Sequence, residues 1–148
     1  MDLQLLRQAA IFKDLDEGEL ARVAEVCHEQ KFVSAKTIFK EGEPGNRMFF
    51  LSAGRVAVVK GQGGPQPVTL ARFGPGEFFG EMSLVESVVR SASVVAEDAV
   101  TAYTLKGLDF HRLYQHLPMQ YGIVMLNLAR DLARRLRALD EKFWHVSH

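Results

Sequence analysis

The 148 residues, 47% hydrophobic and 24% charged, suffice for one globular domain with a single core and need no disulfide or structural metal to fold. Eighteen basic residues balance eighteen acidic ones, which removes the global positive field that nonspecific binding to nucleic acid or anionic lipid draws on. The single cysteine, Cys27, excludes an intramolecular disulfide framework and any zinc site of two or more thiolates, and fits a reducing compartment.

The start, Met1-Asp2-Leu3, lacks the basic and apolar regions of a secretory leader. The densest apolar run, Ile123 to Leu126, is far shorter than the ~20 residues that cross a bilayer. A cytoplasmic protein without a membrane anchor is expected. Residues 1–30 are read as N-terminal helices: Leu20, Val23, Ala24 and Cys27 form a helical stripe, and Asp16 and Glu19 stand at the spacing of a capping box. From Lys31 the period changes to two. β-Branched and aromatic residues predict strands at Thr37–Phe39, Met48–Leu51, Val56–Val59, Val68–Phe73, Ser93–Ala96 and Val100–Leu105. Turn signals separate them at Gly42–Gly45, Ala53-Gly54, Gly61–Pro65 and Gly74–Gly76. Such spacing predicts a mainly β sandwich or jelly-roll barrel over residues 31–106, with helices flanking it. Residues 107–144 return to helical periodicity, with Asp109 as the cap of a helix through Leu117 and Pro118 in the first turn of a second, long one. The apolar seam of that last helix, Met125, Leu128, Leu132, Leu136, Leu139 and Phe143, has one four-residue step from Leu132 to Leu136 where a heptad gives three. No internal repeat or linker divides the chain, so residues 1–148 are read as one domain.

The chemistry concentrates in Phe79-Gly80-Glu81-Met82-Ser83-Leu84 and, after a short gap, Arg90-Ser91-Ala92. Glycine lets a ligand approach the backbone, and the free N–H groups of a following helical turn attract an anion. Arg90 supplies a permanent charge whose planar fork matches two phosphate oxygens, and Glu81 can accept a hydrogen bond from a ribose hydroxyl. One acid and one base at this separation would grip opposite ends of a ribose phosphate.

This stretch closely resembles the phosphate-binding cassette of cyclic nucleotide-binding domains, matching at Gly80, Glu81, Ser83, Leu84, Arg90, Ser91 and Ala92. A second family signature stands upstream, Gly42-Glu43-Pro44-Gly45 followed by Met48-Phe49-Phe50-Leu51 and Gly54, where Phe39 is bulkier than the residue usually found at its place. The resemblance runs from about Ile11 to Lys142. It implies an eight-stranded jelly-roll barrel with N-terminal helices and a long C-terminal helix, holding a 3′,5′-cyclic nucleotide in the cassette at 79–92. It further implies that Glu81 takes the ribose 2′-hydroxyl, that Arg90 and Ser91 take the cyclic phosphate, and that the Gly80 backbone positions the sugar. Val58, Leu70 and Met82 are the expected apolar wall around the base, Ala92 closes the cassette, and the C-terminal helix covers the base and moves when ligand arrives. Cyclic AMP is favoured over cyclic GMP. Aligned on catabolite-activator-type bacterial regulators, Leu139 takes the place of a hydroxyl residue that touches adenine. Those regulators dimerise through the C-terminal helix and continue into a helix-turn-helix, whereas only a handful of residues follow Lys142. Homodimerisation through that helix and an effector protein as partner are therefore expected, and direct DNA binding is not.

Rival readings explain less. Glu81 and Arg90 as a structural ion pair would leave Gly80, Ser83, Ser91 and Ala92 without a purpose. A barrel-centred metal enzyme would draw ligands from the strands, yet His28, His111, His116, His145 and His148 all lie outside Lys31–Leu105; no metal or other cofactor is expected. No Gly-x-Ser-x-Gly elbow is present, so the chain is read as a non-enzyme. Arg130, Arg134, Arg135 and Arg137 alternate with Asp131, Asp140, Glu141 and leucines, which predicts a solvated helix face with intrahelical pairs. Cys27 is read as a small buried hydrophobe. The alternative function is a protein-interaction or dimerisation module of the same fold with weak or lost nucleotide binding.

Overall fold

The structure, a computed structural model, describes residues 1–85 and 88–147; two residues between the halves of the glycine–arginine motif, and His148 among the five histidines, lie outside it. Two short helices, α1 (Leu3–Gln8) and α2 (Glu17–Glu25), bracket a 3-10 turn at Ala10–Phe12. Both begin where an aspartate side chain takes up a free backbone donor: Asp2 Oδ1 accepts from Gln4 N–H at 2.9 Å, and Asp16 Oδ1 from Glu19 N–H at 2.8 Å.

The strands are β1 (His28–Phe32), β2 (Thr37–Phe39), β3 (Pro44–Gly45), β4 (Arg47–Ala53), β5 (Val56–Lys60), β6 (Val68–Phe73), β7 (Phe78–Phe79), β8 (Val88–Val89), β9 (Ser93–Ala96) and β10 (Val100–Lys106). All six strands predicted from the sequence are present. Antiparallel pairing builds two four-stranded sheets, ordered β1-β10-β4-β7 and β2-β9-β5-β6, and a two-stranded ribbon of β3 and β8. The fold is mainly β with flanking helices. Eight strands lie in the two sheets, but among the described residues no strand pairing links one sheet to the other, so closure into a barrel is not seen. The strand region also starts earlier than expected. β1 begins at His28 rather than after residue 30, because it is an edge strand whose polar residues, His28 to Lys31, carry no alternating signal.

Strand alternation divides the core in two. Met48 and Phe50 of β4 and Phe78 of β7 turn toward the helices, packing with Phe12, Leu20, Leu84 and Leu105. Phe49, Leu51 and Phe79 turn toward the second sheet and meet Val56, Val94 and Val100. The Phe-Phe pairs at positions 49–50 and 78–79 thus give one residue to each core.

Helix α3 spans Gly107–Tyr114, starts from Lys106 without a side-chain cap, and ends short of Leu117. Asp109 lies in its first turn, not at its cap: the chain turns helical immediately after β10, two residues before that aspartate. Helix α4 runs Pro118–Ser147, with proline at the position where its missing N–H has no helical partner. Its seam splits at the four-residue step. Val124, Leu128 and Leu132 pack on the helical core, whereas Leu136, Leu139 and Phe143 are exposed. Buried Asn127 fixes the docked half, donating from Nδ2 to the carbonyls of Lys13 (2.6 Å) and Ile11 (3.4 Å). No described helix is long and apolar enough to cross a membrane.

Candidate functional site

The site forms where β7 ends. Gly80 takes a left-handed conformation (φ 76°, ψ 18°), which reverses the chain into a single 3-10 turn, Glu81–Leu84. A Cβ at position 80 would stand 2.9 Å from Arg90 Nη1 and 3.2 Å from the Arg47 carbonyl oxygen, so space as well as φ calls for glycine.

Arg90 is brought to this turn by the upstream glycine motif. Its backbone bonds both ways with the turn before β3, Gly42 N–H to Arg90 O and Arg90 N–H to Glu43 O, each 2.8 Å. Gly45 then leaves room for the side chain, since a Cβ there would lie 2.6 Å from Arg90 Cζ. The two signatures seen in the sequence are therefore halves of one cradle. The Arg90 side chain is only 7% exposed. Nη1 donates to Ser83 Oγ at 3.1 Å, Nη2 donates to Arg47 O at 2.7 Å, and Cζ lies 4.1 Å from the centre of the Phe39 ring. Burial, and then the charge of Arg47, push its pKa below the usual guanidinium value, against smaller opposing effects of Glu43 and Glu81. Among the described residues no carboxylate forms an ion pair with it. Among the described residues this buried cation is held by neutral acceptors and a ring face, which leaves N–H groups free to donate to an anion.

Glu81 is equally buried, 6% exposed, but it does not pair with Arg90. Its Oε1 accepts from Nη1 of Arg135 on α4 at 2.6 Å, while Asp131 Oδ2 lies 3.0 Å from Arg135 Nε. Arg135 Cζ also lies 5.1 Å from the Phe78 ring centre and 5.7 Å from that of Phe73. The sequence reading of the α4 arginines as a solvated face holds for Arg134, which pairs with Asp131 at 3.7 Å. It is corrected for Arg135, which crosses from α4 to the site. Helical period alone cannot report what lies opposite a polar face.

Between these groups opens a pocket of about 410 Å³, within the range of small-molecule sites. Gly80, Glu81, Met82, Arg90, Ser91, Ala92 and Val58 line it, as the sequence led us to expect; Ser83 stands behind, on Arg90. Leu70 does not line it and is 54% exposed. The cause is strand alternation: Phe73 and Ala71, paired in regular register with Val56 and Val58, face the pocket, so Leu70 lies on the outer face, and it is the unpaired residue of the bulge that follows, where Val59 pairs with Thr69. The sequence reading missed Phe73, Phe79, Val94 and Arg135 as lining residues, and Phe39 as more than a bulky neighbour; strand alternation carried the signal for Phe79, and Leu139 lines the pocket from α4. Among the described residues no three His, Cys, Asp or Glu side chains gather as a metal site.

The profile of a family described as "Cyclic nucleotide-binding domain" matches residues 29–116. The chain is 35% identical over 135 residues to a "Cyclic AMP receptor protein" of Thermus thermophilus, covering 91% of this chain and 61% of that protein. It is 33% identical over 147 residues to "cGMP-dependent protein kinase 2" of Homo sapiens, covering 96% of this chain and 19% of the kinase. It therefore spans about three fifths of the first relative and a fifth of the second. Among solved structures, the N-terminal domain of a transcriptional regulator from Streptomyces coelicolor superposes with a TM-score of 0.81 at 27% identity, covering 91% of this chain and 94% of that one.

Proposed function

The chain belongs to the cyclic nucleotide-binding domain family, and on that premise we propose that residues 1–148 are one cyclic-nucleotide receptor domain that binds cyclic AMP in preference to cyclic GMP. The observation that carries this reading is the buried Arg90, which has no carboxylate partner among the described residues and opens on a pocket with Glu81 at its rim. A cyclic phosphate completes the guanidinium, and Ser91 adds a contact to it. Glu81 uses one carboxylate oxygen for Arg135, and the other is open to the ribose 2′-hydroxyl. Phosphate and ribose are thereby fixed from opposite ends, with Gly80 giving the sugar close access to the backbone. The base lies against Val58, Ala71 and Met82, under Leu139 of α4.

The signal leaves through α4. Arg135 ties that helix to the carboxylate that receives the ribose, so ligand arrival at Glu81 shifts the position of α4. We read the two sheets as the halves of a jelly roll whose role is to hold this cradle rigid. The domain acts in the cytoplasm, is not itself an enzyme, uses no metal, and passes its signal to an effector protein, without direct DNA contact. The exposed stripe Leu136, Leu139 and Phe143 supports a homodimer through α4. The same stripe is what a pure dimerisation module would show, and ligand binding separates the two readings. The test is calorimetric titration of nucleotide-stripped protein with cyclic AMP and cyclic GMP. Saturable heat with tighter binding of cyclic AMP supports the proposal; absence of heat with both overturns it.

A further inference from the structure

Arg90 and Phe39 both line the pocket, with the arginine over the face of the ring. The guanidinium carbon lies 4.1 Å from the centre of the Phe39 ring, while the in-plane N–H groups point to Ser83 Oγ and Arg47 O. These two uses of one cation do not compete: a ring attracts the face of a guanidinium, and oxygen acceptors take its edge. Phe39 is itself held in place. Its backbone pairs with Val94 across β2 and β9, and its ring lies 5.8 Å from that of Phe49 and 6.0 Å from that of Phe79, which stack on each other at 4.9 Å and 5°. At 7% exposure the charge is largely desolvated, the condition under which a cation–π contact counts most.

We infer that Phe39 is a positioning residue for the ligand: its ring holds the Arg90 guanidinium flat, so that the unused N–H edge faces the anion, and affinity depends on aromatic character at position 39 rather than on bulk alone. This rests on the cyclic-nucleotide reading of the pocket and adds to it a residue that acts through Arg90. An aliphatic side chain fills similar space but offers no negative face. The guanidinium then rocks out of plane, and the bidentate geometry with two phosphate oxygens is lost.

The experiment compares cyclic AMP affinity, by calorimetry, in wild type, Phe39→Leu, Phe39→Met and Phe39→Tyr, with the melting temperature of each ligand-free protein as the check on folding. Both aliphatic variants should fold and bind about tenfold more weakly, within the range of a desolvated cation–π contact. Phe39→Tyr, which restores the aromatic face, should recover most of the affinity. Wild-type binding with no loss in the aliphatic variants would overturn the inference and leave the receptor reading standing. Equal losses in all three variants would overturn it too, by showing that shape alone matters. No binding by wild type would overturn the receptor reading, and this inference with it.

Discussion

Arg135→Met removes the charge that, among the described residues, links α4 to the pocket while keeping most of the apolar stem. In the ligand-free protein Glu81 would then be a carboxylate at 6% exposure without its 2.6 Å partner, and Asp131 would lose its 3.0 Å neighbour. Breaking a fully buried pair costs roughly 3–5 kcal/mol, and an exposed pair is worth about 0–1 kcal/mol. The Arg135 side chain is 37% exposed, so solvent screens the contact and the expected cost falls between these limits, about 1–2 kcal/mol. For a chain of this length that lowers the melting temperature by roughly 3–8 °C. Scanning calorimetry of Arg135→Met, Glu81→Gln and the double variant isolates the pair. A coupling of about 1 kcal/mol is expected, and it should shrink only modestly in high salt because Glu81 is shielded. Additive single effects, with a coupling below about 0.3 kcal/mol, would refute the claim that α4 is fastened to the pocket through this arginine.

Gly80→Ala should weaken cyclic AMP binding more than tenfold and lower the melting temperature, because a Cβ would press on Arg90 Nη1 at 2.9 Å in a left-handed backbone; unchanged affinity by calorimetry would contradict the cradle. Cys27 is partly buried rather than fully buried as expected, and burial still pushes its thiol, like the Tyr114 hydroxyl, up to about 12, from ordinary values of 9.0 and 10.0. The unfolded chain therefore loses these protons first. Stability in urea should be flat near neutrality and fall as pH rises from about 9 toward 12, and Cys27 should resist alkylation at pH 8 until the protein unfolds. If α4 mediates dimerisation, light scattering should give twice the chain mass at tens of micromolar, and Leu136→Glu with Phe143→Glu should return the monomer mass.

What the sequence made legible was whatever single residues dictate by their own chemistry. Gly80, Glu81, Arg90 and the Gly42–Gly45 turn were readable because left-handed backbone, charge and close approach each restrict the residue type allowed. The Asp16 cap and the α4 proline were readable for the same reason. What depended on pairing was not. β1 hides behind the polar run of an edge strand, and β3, β7 and β8 are two residues each, too short for a period to register. Leu70 looks inward by its apolar character alone, whereas alternation with Phe73 and Ala71 on the pocket side turns it out. Arg135 lies among alternating charges that look uniformly solvated until α4 is laid across the pocket. Asp109 is of a type that favours caps, but the chain turns helical already at Gly107, so it falls in the first turn.

The central claim is that Arg90 is an anion site for a cyclic nucleotide. Titration of stripped wild type against Arg90→Ala, with cyclic AMP, tests it most directly. Removing the guanidinium leaves the bound phosphate without its charged partner, at a cost of about 2–5 kcal/mol, so affinity should fall at least thirtyfold, with the melting temperature of the ligand-free variant as the check that it folds. Equal affinity in the two proteins would contradict the account even with the fold unchanged.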